Sequence, residues 1–284
     1  MIKKFHSKLL YYIRHNFICI AICKLIKWDY LKPKTSWTIS TLYMKKTQCI
    51  FKSKKMHSIM YLPYYKIDDI QKTIVQTKNY YDFHVLDYIC KKWNNGKIGK
   101  ALRNSAFIDI GANIGNHTLY LFNECNAASS YNFEPIKDTF NILEKNIKLN
   151  GLLNKAHLFN LALGQKKGNA SLSYYDPNNI GMAQITNDDY GELQVMPLDA
   201  INIQDDIKFV KIDVEGFELD VVRGMTETLK KYNPYIMIEI RHSLFSDIDD
   251  ILKKLNYERI EINRNEDLQN CLYVFKGLSQ NQPN

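Results

Sequence analysis

A twelve-residue stretch, FIDIGANIGNHT at residues 107–118, constrains this chain more than any other part of it. A short apolar run contains the acidic Asp109, the chain then breaks into glycine at Gly111 and Gly115, and apolar residues resume at helical spacing. The missing Cβ lets the backbone turn sharply at Gly111 and lets helix, strand and ligand approach closely at Gly115. The stretch therefore predicts a strand, a tight turn and a helix whose free N–H groups point into the mouth of the turn.

The spacing and the charge of this turn bear on its ligand. Dinucleotide-binding turns have the spacing G-x-G-x-x-G and seat a pyrophosphate on the helix N-terminus. Here the spacing is G-x-x-x-G, with Asn113 where a second glycine would stand. The carboxylate of Asp109 would repel a phosphate but suits a cationic amino group, such as the ammonium of S-adenosylmethionine. A turn that uses glycine for geometry alone is the alternative, because a glycine turn by itself is weak evidence.

The rest of the chain predicts an α/β fold with a doubly wound, mostly parallel sheet. From Ala106 onward, apolar runs alternate with segments of helical period, which is typical of that class. The last two strands have no helix between them and predict an antiparallel C-terminal hairpin, and residues 165–195 predict a hairpin insertion. The predicted strands are residues 106–110, 129–134, 156–164, 209–216, 235–240, 257–262 and 271–276. The predicted helices are residues 115–124, 137–149, 217–232 and 246–255.

Charge divides the chain near residue 60. Residues 1–60 hold 13 Lys and Arg against one acid, a balance of +12, so the net charge of +8 leaves −4 for the remainder. A mildly acidic main domain argues against a nucleic-acid groove. We predict a basic N-terminal helical extension over residues 1–60 and a main, cofactor-binding domain over residues 61–284.

The N-terminal extension contains no segment that could span a membrane. In its opening segment, residues 1–31, the longest stretch without Lys, Arg, Asp or Glu is residues 15–23, whereas a spanning helix needs about 20 residues. A cleaved signal peptide is also a poor match, because the apolar run is short and no small-residue cleavage site follows. A helix packed on the domain or on a partner and a helix on an anionic membrane surface both fit the pattern. We predict a cytoplasmic protein, peripheral to the inner membrane surface under the second interpretation.

Acidic residues gather where two predicted strands end. Glu134 ends the second strand, where a carboxylate can reach ribose hydroxyls; the alternative is a surface glutamate before a proline turn. Asp213, Glu215 and Glu218 crowd the end of the fourth strand in VKIDVEGFELDVV, residues 210–222. Three acids so close raise one another's pKa and suit proton transfer or cation binding. Capping of the following helix is the alternative.

Taken together, these motifs resemble the FkbM family of S-adenosylmethionine-dependent methyltransferases. FIDIGANIGNHTLYLF is followed by NFEP, LEKNIKLNGL, LALG and NNIGM, and then by VKIDVEGFELDVVRGM and PYIMIEI, over roughly residues 75–275. The resemblance implies a Rossmann-like, seven-stranded class I methyltransferase fold and usually O-methylation of a sugar, a glycan or a secondary metabolite. The cofactor-binding residues that it implies are Asp109, Gly111, Ala112, Asn113, Gly115, Asn116, Glu134, Pro135, Asn160 and Ala162.

Methyl transfer to a hydroxyl needs an aligned acceptor oxygen and a base close to it. Asp213 is the first candidate for that base, and the further candidates are Glu215, Glu239 and His242. A carboxylate pair that holds Mg²⁺ and lowers the pKa of a bound hydroxyl is the alternative. His117 in the turn is a further candidate contact, with a structural role as the alternative.

Two other functions remain open from the sequence. The first is a catalytically inactive S-adenosylmethionine-binding scaffold or partner subunit, against which the intact acids Asp213 and Glu215 count. The second is an NAD-linked dehydrogenase, which the missing second glycine disfavours. The leading prediction is an O-methyltransferase whose partner is a small-molecule or glycan hydroxyl acceptor.

Overall fold

The structure is a computed structural model that describes residues 49–264 and 268–279. Most of the predicted N-terminal extension lies outside the described residues, so its helical character and its membrane contact stay predictions. The predicted boundary after residue 60 falls within a strand, Ile59–Tyr61, which pairs with Ile50–Lys52 in an antiparallel hairpin. Asn150 fixes this hairpin to the main domain, because its Oδ1 accepts a hydrogen bond from the N–H of Ile59 at 2.9 Å.

The elements follow the alternation that the sequence predicts. The strands in the described residues are β1 (Ile50–Lys52), β2 (Ile59–Tyr61), β3 (Ala106–Ile110), β4 (Ser129–Phe133), β5 (Ala156–Phe159), β6 (Ala162–Leu163), β7 (Gly168–Tyr174), β8 (Gln184–Asn187), β9 (Leu193–Met196), β10 (Ile207–Ile212), β11 (Tyr235–Arg241), β12 (Tyr257–Arg264) and β13 (Leu268–Phe275). The α-helices there are α1 (Asp69–Thr77), α2 (Phe83–Asp87), α3 (Lys97–Leu102), α4 (Asn116–Cys125), α5 (Lys137–Leu149), α6 (Glu218–Arg223), α7 (Thr226–Tyr232), α8 (Phe245–Lys254) and α9 (Lys276–Ser279).

A seven-stranded sheet forms the centre of the domain, in the order β12-β13-β11-β10-β3-β4-β5. The five strands from β11 to β5 run parallel, and β13 pairs antiparallel with both β11 and β12. This confirms the predicted fold class and the antiparallel C-terminal hairpin. The chain leaves β3 toward β4 on one side and returns through β10 on the other, so the strand order reverses between β3 and β10. Ligands bind at such a reversal, beyond the carboxyl ends of the strands.

The sheet is buried on both faces, because alternate side chains of each central strand point to opposite sides. All five residues of β3 are buried. On one face Phe107 and Phe209 pack with Leu119 of α4, and on the other Ile108 and Val210 pack with residues of α6. Burying one such side chain stabilises the fold by about 1.5–3 kcal/mol, so the two layers of helices hold the strand ends rigidly.

The predicted third strand, residues 156–164, is wrong in one respect. The chain breaks after β5 and continues as β6, which belongs to a second, four-stranded sheet in the order β6-β9-β7-β8. The break coincides with a contact of Asn160. Its Nδ2 donates hydrogen bonds to the backbone oxygens of Glu134 and Pro135, both at 2.9 Å, and residue 160 does not continue the pairing of β5. The predicted hairpin insertion is confirmed as the antiparallel pair β7 and β8.

Two other boundaries differ from the sequence prediction. The fourth strand ends at Ile212 and not at residue 216, since Glu215 and Gly216 have φ of 53° and 106° and cannot extend a strand. The single predicted helix up to residue 232 is two helices, α6 and α7, which meet at Gly224. None of the helices in the described ranges combines the length and the apolar character that crossing a bilayer requires.

Candidate active site

A cavity of about 250 Å³ opens at the carboxyl ends of β3, β4 and β10, where the strand order reverses. One half lies against the turn after β3 and the loop after β4. The other half lies against the loop after β10 and against the insertion. The segments that line the cavity include residues 110–114, 133–136, 161–163, 179–183 and 213–215.

The turn after β3 depends on Gly111 for its shape. Gly111 has φ of 74°, and a Cβ on this residue would overlap the backbone oxygen of Asp213. The N–H groups of Gly111 and Ala112 donate to the oxygen of Phe133 at 3.0 and 2.9 Å. Asn113 is also left-handed, with φ of 49°, a conformation that asparagine tolerates better than most residues. Asparagine therefore serves where dinucleotide-binding turns place a second glycine.

Glu134 is buried at the edge of the cavity and braces the turn. Its Oε2 accepts from the N–H of Asn113 at 3.0 Å and its Oε1 from the N–H of Ile136 at 2.9 Å. Burial raises the pKa of Glu134 to about 7, although both hydrogen bonds favour the charged form. Pro135 and Ala162 line the same half of the cavity. Asn160 does not line it and acts indirectly, by holding the backbone of the loop that carries Glu134.

Asp109 does not line the cavity, which corrects the prediction that its carboxylate receives a ligand's ammonium directly. The side chain is fully buried beneath the turn, where its Oδ2 accepts from Thr118 Oγ1 at 2.6 Å. Its Oδ1 lies 3.3 Å from Nζ of Lys211, so the cation that faces this carboxylate belongs to the protein. Gly115, which caps α4, also stays outside the cavity wall, as does His242 after β11.

Lys211 is a charged residue of this site that the sequence analysis missed. It lines the cavity from β10, and its Nζ also lies 3.4 Å from Oδ2 of Asp213. The sequence carries a signal for it, because a lysine inside the apolar run FVKI is buried if the strand is central. A buried lysine requires a carboxylate partner, and the nearest acid in the sequence is Asp213, two residues after Lys211.

Three carboxyl groups from β10 and β11 meet in the other half of the cavity. Asp213, Glu215 and Glu239 each offer an oxygen, and these oxygens all lie within 4.8 Å of one another. Burial, and then the charge of Asp213, raises the pKa of both Glu215 and Glu239 to about 7. Arg241 lies 3.4 Å from Glu215 and is the cation on that side. The three carboxyl groups together can hold a proton near neutral pH or bind a divalent cation.

Asp82 faces these carboxyl groups from the N-terminal side of the domain and was not predicted as a site residue. Asp82 is exposed to solvent but lines the cavity, and desolvation by the cavity walls, followed by the charge of Asp213, raises its pKa to about 6. Its position is fixed through its neighbour Tyr81, whose backbone N–H and oxygen both bond to the side chain of Asn116 at 3.0 Å. Nothing in the local sequence of Asp82 distinguishes it from a surface aspartate.

Three wall residues also carry polar atoms with open hydrogen-bonding capacity. His117 lines the cavity as a neutral ring, because burial and then the charge of Lys211 lower its pKa to about 3. Within the described residues, its Nε2 and the Oδ1 atoms of Asn113 and Asn179 are buried without a hydrogen-bond partner. Such atoms on a cavity wall fit a polar ligand, which would satisfy them.

The segment that carries Asn179 and Gly181 is tied to the start of α1. Asp68 accepts from the N–H of Gln71 at 2.9 Å with one carboxylate oxygen and from the N–H of Ile180 at 3.1 Å with the other. The N–H of Asp69 donates to the oxygen of Asn178 at 2.9 Å. The insertion loop therefore closes the cavity in a fixed position relative to α1.

The Glu239→Gln variant is expected to flatten the pH dependence of thermal stability. A carboxyl group whose pKa is raised in the folded state, here from 4.5 to about 7, stabilises the fold fully below its unfolded pKa. That contribution is lost as the pH rises through the folded pKa. We expect the melting temperature of the wild type to fall more between pH 4.5 and 8 than that of the variant, measured by circular dichroism. The surface variant Glu227→Gln is the control, and parallel curves for Glu239→Gln and wild type would contradict the prediction.

The sequence matches a model of the Methyltransferase FkbM domain over residues 109–259, which is more than half of the chain. The chain belongs to the FkbM methyltransferase family. This match begins at Asp109 of β3 and takes in the glycine turn, Glu134 and the acidic cluster of the loop after β10. Ile70, Tyr81 and Asp82 line the cavity from outside the matched range.

Relatives within and around this family are methyltransferases by name. The chain is 28% identical over 170 residues to the hexuronic acid methyltransferase AglP of Haloferax volcanii, covering 56% of this chain and 66% of that protein. It is 23% identical over 202 residues to the methyltransferase sdnD of Sordaria araneosa, covering 58% and 73%. A crystal structure of a methyltransferase FkbM from Methylobacillus flagellatus aligns with a TM-score of 0.49 at 18% identity, covering 76% of this chain and 56% of that one.

Proposed function

We propose that this protein is an S-adenosylmethionine-dependent methyltransferase that methylates a hydroxyl group of a sugar, a glycan or a secondary metabolite. The observation that carries the proposal is the single cavity at the strand reversal, which joins the glycine turn and Glu134 to the carboxyl groups around Asp213. Membership of the FkbM family supports the reaction class. S-Adenosylmethionine supplies the electrophilic methyl carbon, and the protein supplies the alignment and the base.

The half of the cavity around the glycine turn fits the cofactor. Gly111 lets the backbone of Asp213 approach the turn closely, and the Oδ1 of Asn113, which has no hydrogen-bond partner, is an acceptor for an ammonium group. Glu134 can accept from ribose hydroxyls as well as from its two backbone donors, because each carboxylate oxygen has two lone pairs. Pro135 and Ala162 offer an apolar edge for the adenine.

The half of the cavity around Asp213 fits the acceptor. We propose that Asp213 takes the proton from the acceptor hydroxyl while the oxygen attacks the methyl carbon, since an alcohol is a poor nucleophile at neutral pH. The bond from that carbon to the sulfonium sulfur breaks at the same time, and S-adenosylhomocysteine leaves with the electron pair. Its side chain is 35% exposed and sits opposite the turn, which leaves room for a substrate oxygen. Glu215 and Glu239 can receive the proton next, because burial raises the pKa of each to about 7.

A second arrangement is favoured by the clustering of these carboxyl groups. Asp213, Glu215 and Glu239 are close enough together to bind one divalent cation, which would lower the pKa of a coordinated hydroxyl. Chelation separates the two arrangements. Methyl transfer that persists in excess EDTA supports Asp213 as the base, and transfer that is lost in EDTA and restored by Mg²⁺ supports the cation.

The acidic side chains in the half of the cavity around Asp213 affect which acceptor molecule can bind there. AglP takes its name from a hexuronic acid, whose carboxylate the acids Asp82, Asp213, Glu215 and Glu239 would repel in the absence of a cation. We therefore propose a neutral sugar hydroxyl as the acceptor. Transfer of a tritiated methyl group from S-adenosylmethionine to cell extracts, fractionated into glycan, lipid and protein, tests this. Label confined to protein would contradict it.

The Glu134→Ala variant is expected to weaken binding of S-adenosylhomocysteine about tenfold, because the ribose loses an acceptor and the turn loses a brace. Isothermal titration calorimetry measures the affinity. The variant Glu144→Ala, on the polar face of α5 away from the cavity, is the control. Unchanged affinity in Glu134→Ala would remove this residue from the cofactor site. Binding of NAD in place of S-adenosylhomocysteine by the wild type would favour a dehydrogenase, and binding without methyl transfer would favour a scaffold.

A further inference from the structure

We infer that Lys211 is a positioning residue that holds the carboxylate of Asp213 at a fixed position relative to the glycine turn. This inference rests on the proposed function. Lys211 stands directly beside Asp109 in the register of β10 and β3. Only 3% of its side chain is exposed. Its ammonium group therefore lies as a buried charge between the two halves of the cavity.

The contacts of Lys211 join these halves. Its Nζ donates to the backbone oxygen of Gly111 at 2.7 Å, and it lies 3.3 Å from Oδ1 of Asp109 and 3.4 Å from Oδ2 of Asp213. Its Nζ also makes a longer hydrogen bond, of 3.5 Å, to the backbone oxygen of Ile110, and the two carboxylate oxygens are its ion-pair partners. The oxygen of Gly111 belongs to the turn, that of Asp109 lies beneath the turn, and that of Asp213 faces the acceptor.

The charge of Lys211 is maintained by the same contacts. Burial on its own would lower the pKa of Lys211, but the carboxylates of Asp109 and Asp213 more than offset it, so the pKa is raised. Asp109 is itself fixed from below by Thr118 of α4. Of the two carboxylates only that of Asp213 lines the cavity, so the rigid part of the cluster is Asp109 with Lys211, and the part it orients is Asp213.

Lys211 differs from a lysine that only stabilises the fold. A buried ion pair is weak evidence for stability, because desolvation of the two charges opposes their attraction. If Lys211 were purely structural, its replacement would lower the free energy of unfolding and, through the glycine turn, the affinity for the cofactor. A Lys211 that orients Asp213 also affects the rate of transfer by the bound complex, because a displacement of about 1 Å in a reacting group lowers a rate on the order of 10²-fold.

The test avoids an unpaired buried charge. Lys211→Met alone would leave the carboxylate of Asp109 buried without a cation, which is strongly destabilising. The double variant Asp109→Asn/Lys211→Met removes one charge of each sign and is compared with Asp109→Asn alone. Asp109→Asn/Lys211→Gln is made in parallel, since glutamine keeps an N–H donor for the oxygen of Gly111. Lys208→Met is the control on the same strand, where Nζ contacts the exposed Asp206 at 2.8 Å.

The readouts are melting temperature, the dissociation constant of S-adenosylhomocysteine, and Vmax and KM for S-adenosylmethionine at a fixed amount of glycan extract. Relative to Asp109→Asn, we expect Vmax of both double variants to fall about 50-fold. We expect the dissociation constant of S-adenosylhomocysteine to rise only about fivefold in the methionine variant, for the lost hydrogen bond to Gly111, and to rise less in the glutamine variant, which keeps a donor. Lys208→Met is expected to match the wild type in all readouts.

Two results would overturn the inference while leaving the proposed function intact. The first is a double variant whose Vmax stays within about threefold of that of Asp109→Asn. The second is a loss of Vmax matched by an equal loss of S-adenosylhomocysteine affinity, which would assign the whole effect to cofactor binding. A wild-type protein that neither binds S-adenosylhomocysteine nor transfers methyl groups would overturn the proposed function and this inference with it.

Discussion

Asp213→Asn is expected to lower the turnover number by about 10²–10⁴-fold while the affinity for S-adenosylhomocysteine changes little. Asparagine keeps the shape of the side chain and can still contact Lys211, but it cannot take a proton from the acceptor hydroxyl. Because Asp213 faces the acceptor half of the cavity, the cofactor half keeps its contacts. The measurement is tritiated methyl transfer under saturating cofactor, paired with calorimetry of S-adenosylhomocysteine.

The control for this prediction is Asp206→Asn, an exposed aspartate just before β10 that does not line the cavity. It is expected to transfer methyl groups at the wild-type rate. An Asp213→Asn variant that retains more than about a third of the wild-type turnover would show that another group removes the proton. If the turnover number and the affinity for S-adenosylhomocysteine both fell, Asp213 would instead contribute to cofactor binding.

Gly111→Ala is expected to destabilise the fold by at least about 3 kcal/mol and to abolish measurable binding of S-adenosylhomocysteine. The new Cβ would overlap the backbone oxygen of Asp213, and the φ of 74° is strained for alanine. Relief of the overlap requires β3 and β10 to separate at their carboxyl ends, where the N–H of Asp213 donates to the oxygen of Ile110 at 3.1 Å. Chemical denaturation gives the stability, and calorimetry gives the affinity.

Gly151→Ala separates the two causes, because Gly151 has a similar φ of 69° but no atom within 4 Å of the position of an added Cβ. We expect it to lose about 1–2 kcal/mol from backbone strain alone and to bind S-adenosylhomocysteine as the wild type does. Equal losses of stability in the two variants would mean that the approach of Asp213 to the turn is looser than the structure shows.

The sequence was sufficient to predict the fold because its strongest signals are the alternation of apolar runs and the position of the glycine turn. The buried strand AFIDI and the turn at Gly111 predicted β3 and its helix within about a residue, and the seven-stranded sheet followed from the alternation of apolar runs. It failed at residues 160–161, because the side chain of Asn160 bonds to a loop far away in sequence. No local pattern reports such a contact.

The candidate site was predictable where one short motif carries several residues, and not where the fold brings distant segments together. Gly111, Asn113, Glu134, Asp213 and Glu239, which the sequence analysis named as candidate cofactor-binding or catalytic residues, line the cavity, and their roles stay predictions. Asp109 was expected to face the ligand. Its side chain instead lies beneath the turn, beside Lys211 of the neighbouring strand β10. Asp82 could not be predicted, because only tertiary packing places it opposite Asp213.

The bonds of Asp68 and Asp69 to the insertion loop have a consequence for how members of this family diversify. One wall of the cavity, at Ile70, Tyr81 and Asp82, is built by residues that precede the FkbM domain match, whereas the glycine turn and the loop after β4 lie wholly within that match. Changes around α1 can thus reshape the mouth of the cavity without disturbing the machinery that handles the donor. Chains that share one catalytic core can in this way come to modify different hydroxyl compounds.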